Sequence, residues 1–89
     1  MEAADRFKPQ FILVSAGFDM HQKDPLNRAP GAGANYVPLE VDDFRTTAAL
    51  LMDLSRHHCS GRLVSILEGG YNLDMLGPSA AAHVGELLK

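Results

Sequence analysis

Val14-Ser15-Ala16-Gly17-Phe18-Asp19 and, about fifty residues later, Leu67-Glu68-Gly69-Gly70-Tyr71 share one pattern. Each is an apolar strand that runs into small residues and then delivers one polar side chain. The first delivers a carboxylate and the second a phenol. In an open parallel sheet, ligands bind outside the carboxyl ends of the strands. Two such ends, each with one chemically useful group, read as half of an active site.

Working outward, Phe11 to Ser15 is a short continuous apolar run, the pattern of a strand buried on both faces. Residues 1–10 read as a polar lead-in. Residues 20–40 carry Pro25, Pro30, Pro38, Gly31, Gly33, Asn27 and Asn35, and neither a helical nor a strand period survives there. A loop of that length is usually functional or disordered. Because it directly follows Asp19, it reads as the rim of a site. Asp42 and Asp43 suit a helix start. Phe44, Thr47, Ala48, Leu51 and Leu54 follow at helical spacing as one buried face, with Arg56, His57 and His58 in the last turn and Gly61 as the C-terminal cap. Arg62 to Leu67 is the second strand. Asp74 opens a final helix, with Ala80 to Ala82, Val84, Leu87 and Leu88 facing inward and Pro78 near its first turn. Strand, helix, strand, helix is a right-handed parallel crossover unit of an α/β fold.

The chain has 89 residues and is 46% hydrophobic, enough for one small domain or a piece of a larger one. Small domains are marginal, and a two-strand parallel unit needs both faces covered. The expectation is therefore a fragment, or a unit that leans on a partner. Net charge is −3 with no basic cluster, which argues against direct nucleic-acid binding. One cysteine, Cys59, excludes an internal disulfide framework and a cysteine-pair metal site. The polar start lacks the apolar region of a signal peptide, and no apolar run approaches the roughly 20 residues that span a bilayer. The expected setting is intracellular, in nucleus or cytoplasm, without membrane contact.

Among single residues, Asp19 reads as a metal ligand or general base at a strand end, against a turn or capping aspartate. A lone carboxylate cannot hold zinc, because catalytic zinc takes three protein ligands and an open position. Tyr71, on a double-glycine hinge, reads as a donor to a developing oxyanion, against a half-buried tyrosine covering the sheet edge. Asp24-Pro25-Leu26 reads as a turn. His21 lies one residue beyond Asp19's neighbour and reads as a surface loop histidine rather than a ligand. His57 and His58 are adjacent on a helix and so do not face one way; a helix-end role fits them better than a ligand pair. His83 reads as a helix-face residue and Cys59 as an inert thiol. Glu68 reads as a buried supporting acid or a strand-end charge. Gly69-Gly70 opens a helix but lacks a full phosphate-binding pattern.

Together, Val14-Ser15-Ala16-Gly17-Phe18-Asp19, Asp24-Pro25-Leu26, Gly61-Arg62 and Leu67-Glu68-Gly69-Gly70-Tyr71-Asn72-Leu73 resemble, in order and spacing, the zinc-dependent histone deacetylase family, which includes the acetylpolyamine amidohydrolases. The Ala-Gly-Phe-Asp and Leu-Glu-Gly-Gly-Tyr wording is similar to the class II branch and its bacterial relatives. The resemblance implies that residues 1–89 are the C-terminal portion of a deacetylase catalytic domain with a three-layer α/β/α, arginase-like fold. It implies that Asp19 is one of the family's two zinc-binding aspartates. Tyr71 falls on the catalytic tyrosine, Gly69 and Gly70 beside the substrate channel, and Leu26 on an apolar position lining that channel. A branch with histidine at the Tyr71 position deacetylates poorly, so tyrosine implies an active lineage. The cofactor implied is Zn2+, and the substrate an acetylated protein or peptide such as a histone tail, or an acetylpolyamine.

The family's paired histidines and its Asp-x-His-His-Gly-type segment lie upstream of this region and are not in these residues. The expectation is that the complete domain hydrolyses acetyl-lysine amides, while the 89-residue chain alone binds zinc weakly and catalyses nothing. The alternatives are a non-catalytic docking fragment and an unrelated α/β small-molecule binder.

Overall fold

The structure, a computed structural model, describes residues 2–27 and 38–89. Pro30, Gly31, Gly33 and Asn35 of the long loop lie outside the described residues. The elements run α1 (Glu2–Phe7), β1 (Ile12–Ala16), α2 (Val41–Cys59), β2 (Leu63–Leu67) and α3 (Leu73–Leu87). β1 and β2 are adjacent and parallel, with Ile12 opposite Leu63 and Ala16 opposite Leu67. This is the α/β parallel crossover that the apolar runs predict. α1 differs from the expectation, since residues 2–7 form a helical turn rather than a plain lead-in. It has no buried residue, which is why no apolar period announces it.

Side chains alternate across a strand, and the two sheet faces have different fates. Val14 and Ala16 face the helices. There Ala16, Phe18 and Phe44 form the core, with Val14, Leu39, Leu76 and Ala80 packed against it. Phe18 meets Phe44 edge to face at a centroid distance of 5.1 Å. The other face carries Leu13, Val64 and Ile66, which are 68%, 44% and 55% exposed. The strands have the composition of a sheet covered on both sides, yet among the described residues helices α2 and α3 supply one layer only.

Helix starts and faces follow local chemistry more closely than the sequence pattern suggests. α2 is capped by Glu40, not by Asp42 or Asp43. Asp43 instead sits at the third helical position, where its carboxylate accepts the Glu40 N–H at 2.8 Å while Glu40 accepts the Asp43 N–H in return. The buried face of α2 is Phe44, Ala48, Ser55 and Cys59. Thr47, expected inside, is exposed, and its hydroxyl donates to the Asp43 carbonyl at 2.9 Å. Leu51 and Leu54 are only half-buried. Ala48 and Ser55 are small, so α3 packs close to α2 through its own small residues, Ser79 and Ala82. Val84 and Leu88 of α3, expected to face inward, are 46% and 82% exposed. The left-handed turn after α2 begins at Ser60 (φ 55°) and continues through Gly61 (φ 78°), so Ser60, rather than Gly61, is the cap. α3 is capped by Asn72, whose side-chain oxygen accepts the N–H groups of Asp74 and Met75 at 3.0 and 3.2 Å. Pro78 therefore lies in the second turn rather than the first, where it removes one i to i−4 bond.

Candidate active site

The hydrogen-bond ladder does not stop where the strands end. The Glu68 N–H donates to the Ala16 carbonyl at 2.9 Å and the Phe18 N–H to the Gly69 carbonyl at 2.8 Å. These bonds lock the two exits from the sheet side by side. They carry Asp19 and the Gly69-Gly70-Tyr71 segment to one edge, the carboxyl edge expected for a ligand site.

Asp19 and Gly69 are in close contact there. A methyl group placed on Gly69 would lie 3.1 Å from the Asp19 carboxyl carbon and 3.1 Å from Oδ2, and one on Gly17 would lie 3.3 Å from Oδ1. The carboxylate thus occupies a cradle that two side-chain-free residues leave open. Among the described residues no donor hydrogen-bonds to it. An acid at a turn ordinarily caps a backbone N–H, so the turn-aspartate reading does not fit Asp19.

Gly70 has a different constraint. Its φ of 141° is a conformation that side chains rarely adopt, and an added methyl would come within 2.7 Å of Leu76 Cδ1. The chain turns here and delivers Tyr71, whose side chain is 53% exposed. Leu26, the residue expected at the channel, is also 53% exposed.

The sequence reading missed the residue that joins these parts. Asp24 is 1% exposed. Its Oδ1 accepts the Leu26 N–H at 2.9 Å, which is the turn that Asp24-Pro25-Leu26 predicts. Its Oδ2 accepts the Tyr71 N–H at 2.7 Å and the Asn72 N–H at 3.2 Å. Asn72 answers by donating from its side chain to the Lys23 carbonyl at 2.9 Å. Only the short-range half of this arrangement has a local signal in the sequence.

His21 is buried, contrary to its reading as a surface residue. Its ring stacks on Phe44 at 6.4 Å, and its Nδ1 accepts the Lys23 N–H at 3.0 Å. That bond occupies one ring nitrogen within the loop. His83 is buried on the inner face of α3, with Nε2 2.7 Å from the Ser65 hydroxyl. Burial pushes its imidazole below the ordinary 6.5. Glu68 is exposed, so it is not a buried supporting acid. Cys59 is buried, with Sγ 3.4 Å from the Arg62 carbonyl, the setting of an inert thiol.

A set of side chains with ligand-type atoms close together occurs away from this edge. Asp5, His57 and His58 bring ligand atoms within 4.8 Å of one another where α1 meets α2. His58 Nε2 lies 3.0 Å from the Asp5 carboxylate, and Asp5 and His57 are exposed. The set does not include Asp19 and serves here as a helix-to-helix polar contact. No helix among the described residues is long and apolar enough to cross a membrane.

The family model for the histone deacetylase domain matches residues 1–87. The chain is 46% identical over 88 residues to "Histone deacetylase 10, chloroplastic" of Oryza sativa, a match that covers 94% of this chain and 18% of that protein. It is 40% identical over 72 residues to the "Histone deacetylase-like amidohydrolase" of Pseudomonas aeruginosa, covering 81% of this chain and 17% of the relative. The solved structure of the HDA15 HD domain superposes with a TM-score of 0.78 at 34% identity, over 99% of this chain and 21% of that one. The chain spans less than a fifth of the length of these curated relatives. The matched motifs, the parallel sheet with its two locked exits and these comparisons agree: the chain belongs to the histone deacetylase family.

Proposed function

We propose that this chain is the C-terminal part of a deacetylase catalytic domain and that the complete domain hydrolyses acetyl-lysine amides with the help of zinc. The observation that carries the reading is the Asp19 carboxylate. It is set in a glycine cradle at the sheet's carboxyl edge, with no donor bonded to it among the described residues and Tyr71 two residues beyond Gly69. A carboxylate kept free of donors suits a divalent cation, and its donor chemistry fits one of the three protein ligands that a catalytic zinc requires. The remaining ligands would come from outside these 89 residues. Held there, zinc would supply the polarisation of an acyl carbonyl and the activation of water.

Tyr71 contributes a phenolic O–H, a donor aimed at charge as it develops on the acyl oxygen. Leu26 offers apolar surface for the methylenes of an acylated lysine. Gly69 and Gly70 keep the wall of that passage low. Acetylated protein, acetylated peptide and acetylpolyamine are all substrates of this chemical class. The names of two relatives place them in chloroplasts, while a nuclear or cytoplasmic setting goes with the present reading.

The bare sheet face supports a second reading for the 89-residue chain alone, as a non-catalytic unit that folds stably only when Leu13, Val64 and Ile66 are covered. One experiment addresses both. Deacetylation of a fluorogenic acetyl-lysine peptide is measured with added zinc, for this chain and for a version extended upstream in its own reading frame. Activity confined to the extended protein is the expected result. Folded, zinc-loaded extended protein without activity would leave a non-catalytic relative.

A further inference from the structure

The Gly69-Gly70-Tyr71 segment raises a physical problem. Two glycines precede the tyrosine, one of them at a φ of 141°, and glycines leave a backbone more freedom than other residues do. The Tyr71 side chain is about half exposed, so packing within these residues does little to fix it. An oxyanion donor is effective only when it is held in place before the charge develops. Something must hold this backbone.

Asp24 does so from the other side of the loop. It receives the Tyr71 N–H at 2.7 Å and the Asn72 N–H at 3.2 Å on one oxygen. Hydrogen bonds to an ionised acceptor are roughly twice as strong as neutral ones, and Asp24 is buried, so water does not compete for it. Its own backbone is fixed, because its N–H donates to the His21 carbonyl at 2.9 Å. The Asn72 side chain closes the clamp in the reverse direction, onto the Lys23 carbonyl at 2.9 Å, and its oxygen starts α3. The clamp therefore spans the loop after Asp19, the tyrosine and the helix that follows it.

We infer that Asp24 is the positioning residue for the Tyr71 hydroxyl. Through the backbone N–H groups of Tyr71 and Asn72 it fixes where the phenol stands relative to the acyl oxygen. The inference rests on the proposed role of Tyr71 as the donor to that oxygen.

The test uses the protein extended upstream, with Asp24→Asn, Tyr71→Phe and the double variant. An asparagine side chain supports the same local turn, so its oxygen can stay on the Leu26 N–H. Its amide group then faces the Tyr71 N–H, donor against donor. Misplacing a reacting group by about 1 Å costs on the order of 100-fold. The expected result for Asp24→Asn is a kcat about 10- to 100-fold lower, with KM within about 3-fold and zinc content unchanged. The double variant should be no slower than Tyr71→Phe alone, because the clamp acts only through the phenol.

Losses that multiply in the double variant, or an Asp24→Asn enzyme of full kcat, overturn the inference and leave the Tyr71 reading intact. Tyr71→Phe with full activity removes that reading, and the inference with it. Should Asp24→Asn fail to fold, Asn72→Asp tests the clamp from its other end. It keeps the acceptor that caps α3 and loses the donor to Lys23. The same kcat-selective loss, absent in the Tyr71→Phe background, is expected there, and an unchanged or multiplicative outcome overturns the inference.

Discussion

At the carboxyl edge of the sheet, Asp24 is 1% exposed and both of its oxygens are hydrogen-bonded, while Phe18, just past the end of β1, is 4% exposed. On the open face of the same two strands, Leu13 is 68% exposed and Ile66 55%. Phe18 of the edge follows Leu13 of the open face by only five residues in the chain. Apart from the Asp19 carboxylate, the edge is tied together by short polar links among residues 16–27 and 67–75. The face needs apolar area, which polar links cannot replace and which the described residues do not provide. A parallel sheet is ordinarily covered on both sides, and a contiguous apolar patch marks a place where something docks. A site edge can therefore be preformed in a unit whose overall stability depends on more protein.

The sharpest way to break this comparison is a charge on the open face. Ile66→Lys in the extended protein should cost about 3 kcal/mol or more, because the charge is buried without a partner. Urea unfolding of that protein checks this. An effect of no more than about 0.5 kcal/mol, as for exposed sites, would mean that the face stays open.

Gly70→Ala probes the edge. The φ of 141° and the 2.7 Å approach to Leu76 predict a loss of about 1–3 kcal/mol in the extended protein, read from the same unfolding curves. A loss within about 0.5 kcal/mol, as for an unconstrained surface site, would show that the edge does not hold Gly70 in this conformation.

A smaller effect of opposite sign is expected between the two helices. Among the described residues, the Ser79 hydroxyl is fully buried and has no hydrogen-bond partner. Leaving such a group unsatisfied costs about 1–3 kcal/mol, so Ser79→Ala should raise stability by about 1 kcal/mol, visible as a higher unfolding midpoint.

The smallest effect is a pH dependence. Burial holds the His83 imidazole below its ordinary 6.5. The unfolded chain therefore takes up the proton first as pH falls, and binds more protons than the folded one in that window. The stability contributed by neutral His83 is present above the unfolded value and declines below it. His83→Gln should flatten that decline, as followed by unfolding midpoints between about pH 7.5 and 5.

How much of this was legible depends on the distance over which each residue acts. The two strands and their order could be read because Phe11–Ser15 and Arg62–Leu67 are short, mostly apolar runs that lead into glycine-containing exits. Asp19 and Tyr71 could be singled out because each is the first functional side chain after such an exit. The face of α2 was only partly legible. The pattern favours large residues such as Leu51, but close helix packing selects the small ones, Ala48 and Ser55. The cap of α2 was shifted because Asp43 serves as the reciprocal partner of Glu40, a role that looks the same in sequence as a cap. His21 was misread because nothing local announces its stacking on Phe44, 23 residues away. The link from Asp24 to Tyr71 spans 47 residues, so the turn around Asp24 was visible and its purpose was not.

The most direct test of the central claim, that Asp19 and Tyr71 are two functionally distinct halves of one edge, is to measure zinc content and peptide deacetylation together on the extended protein carrying Asp19→Asn or Tyr71→Phe. Asp19→Asn should lose both metal and activity. Tyr71→Phe should keep its metal and lose about 100-fold or more in rate, the scale of removing one oxyanion donor. An Asp19→Asn protein with a full complement of zinc, or a Tyr71→Phe protein with undiminished rate, would contradict the account.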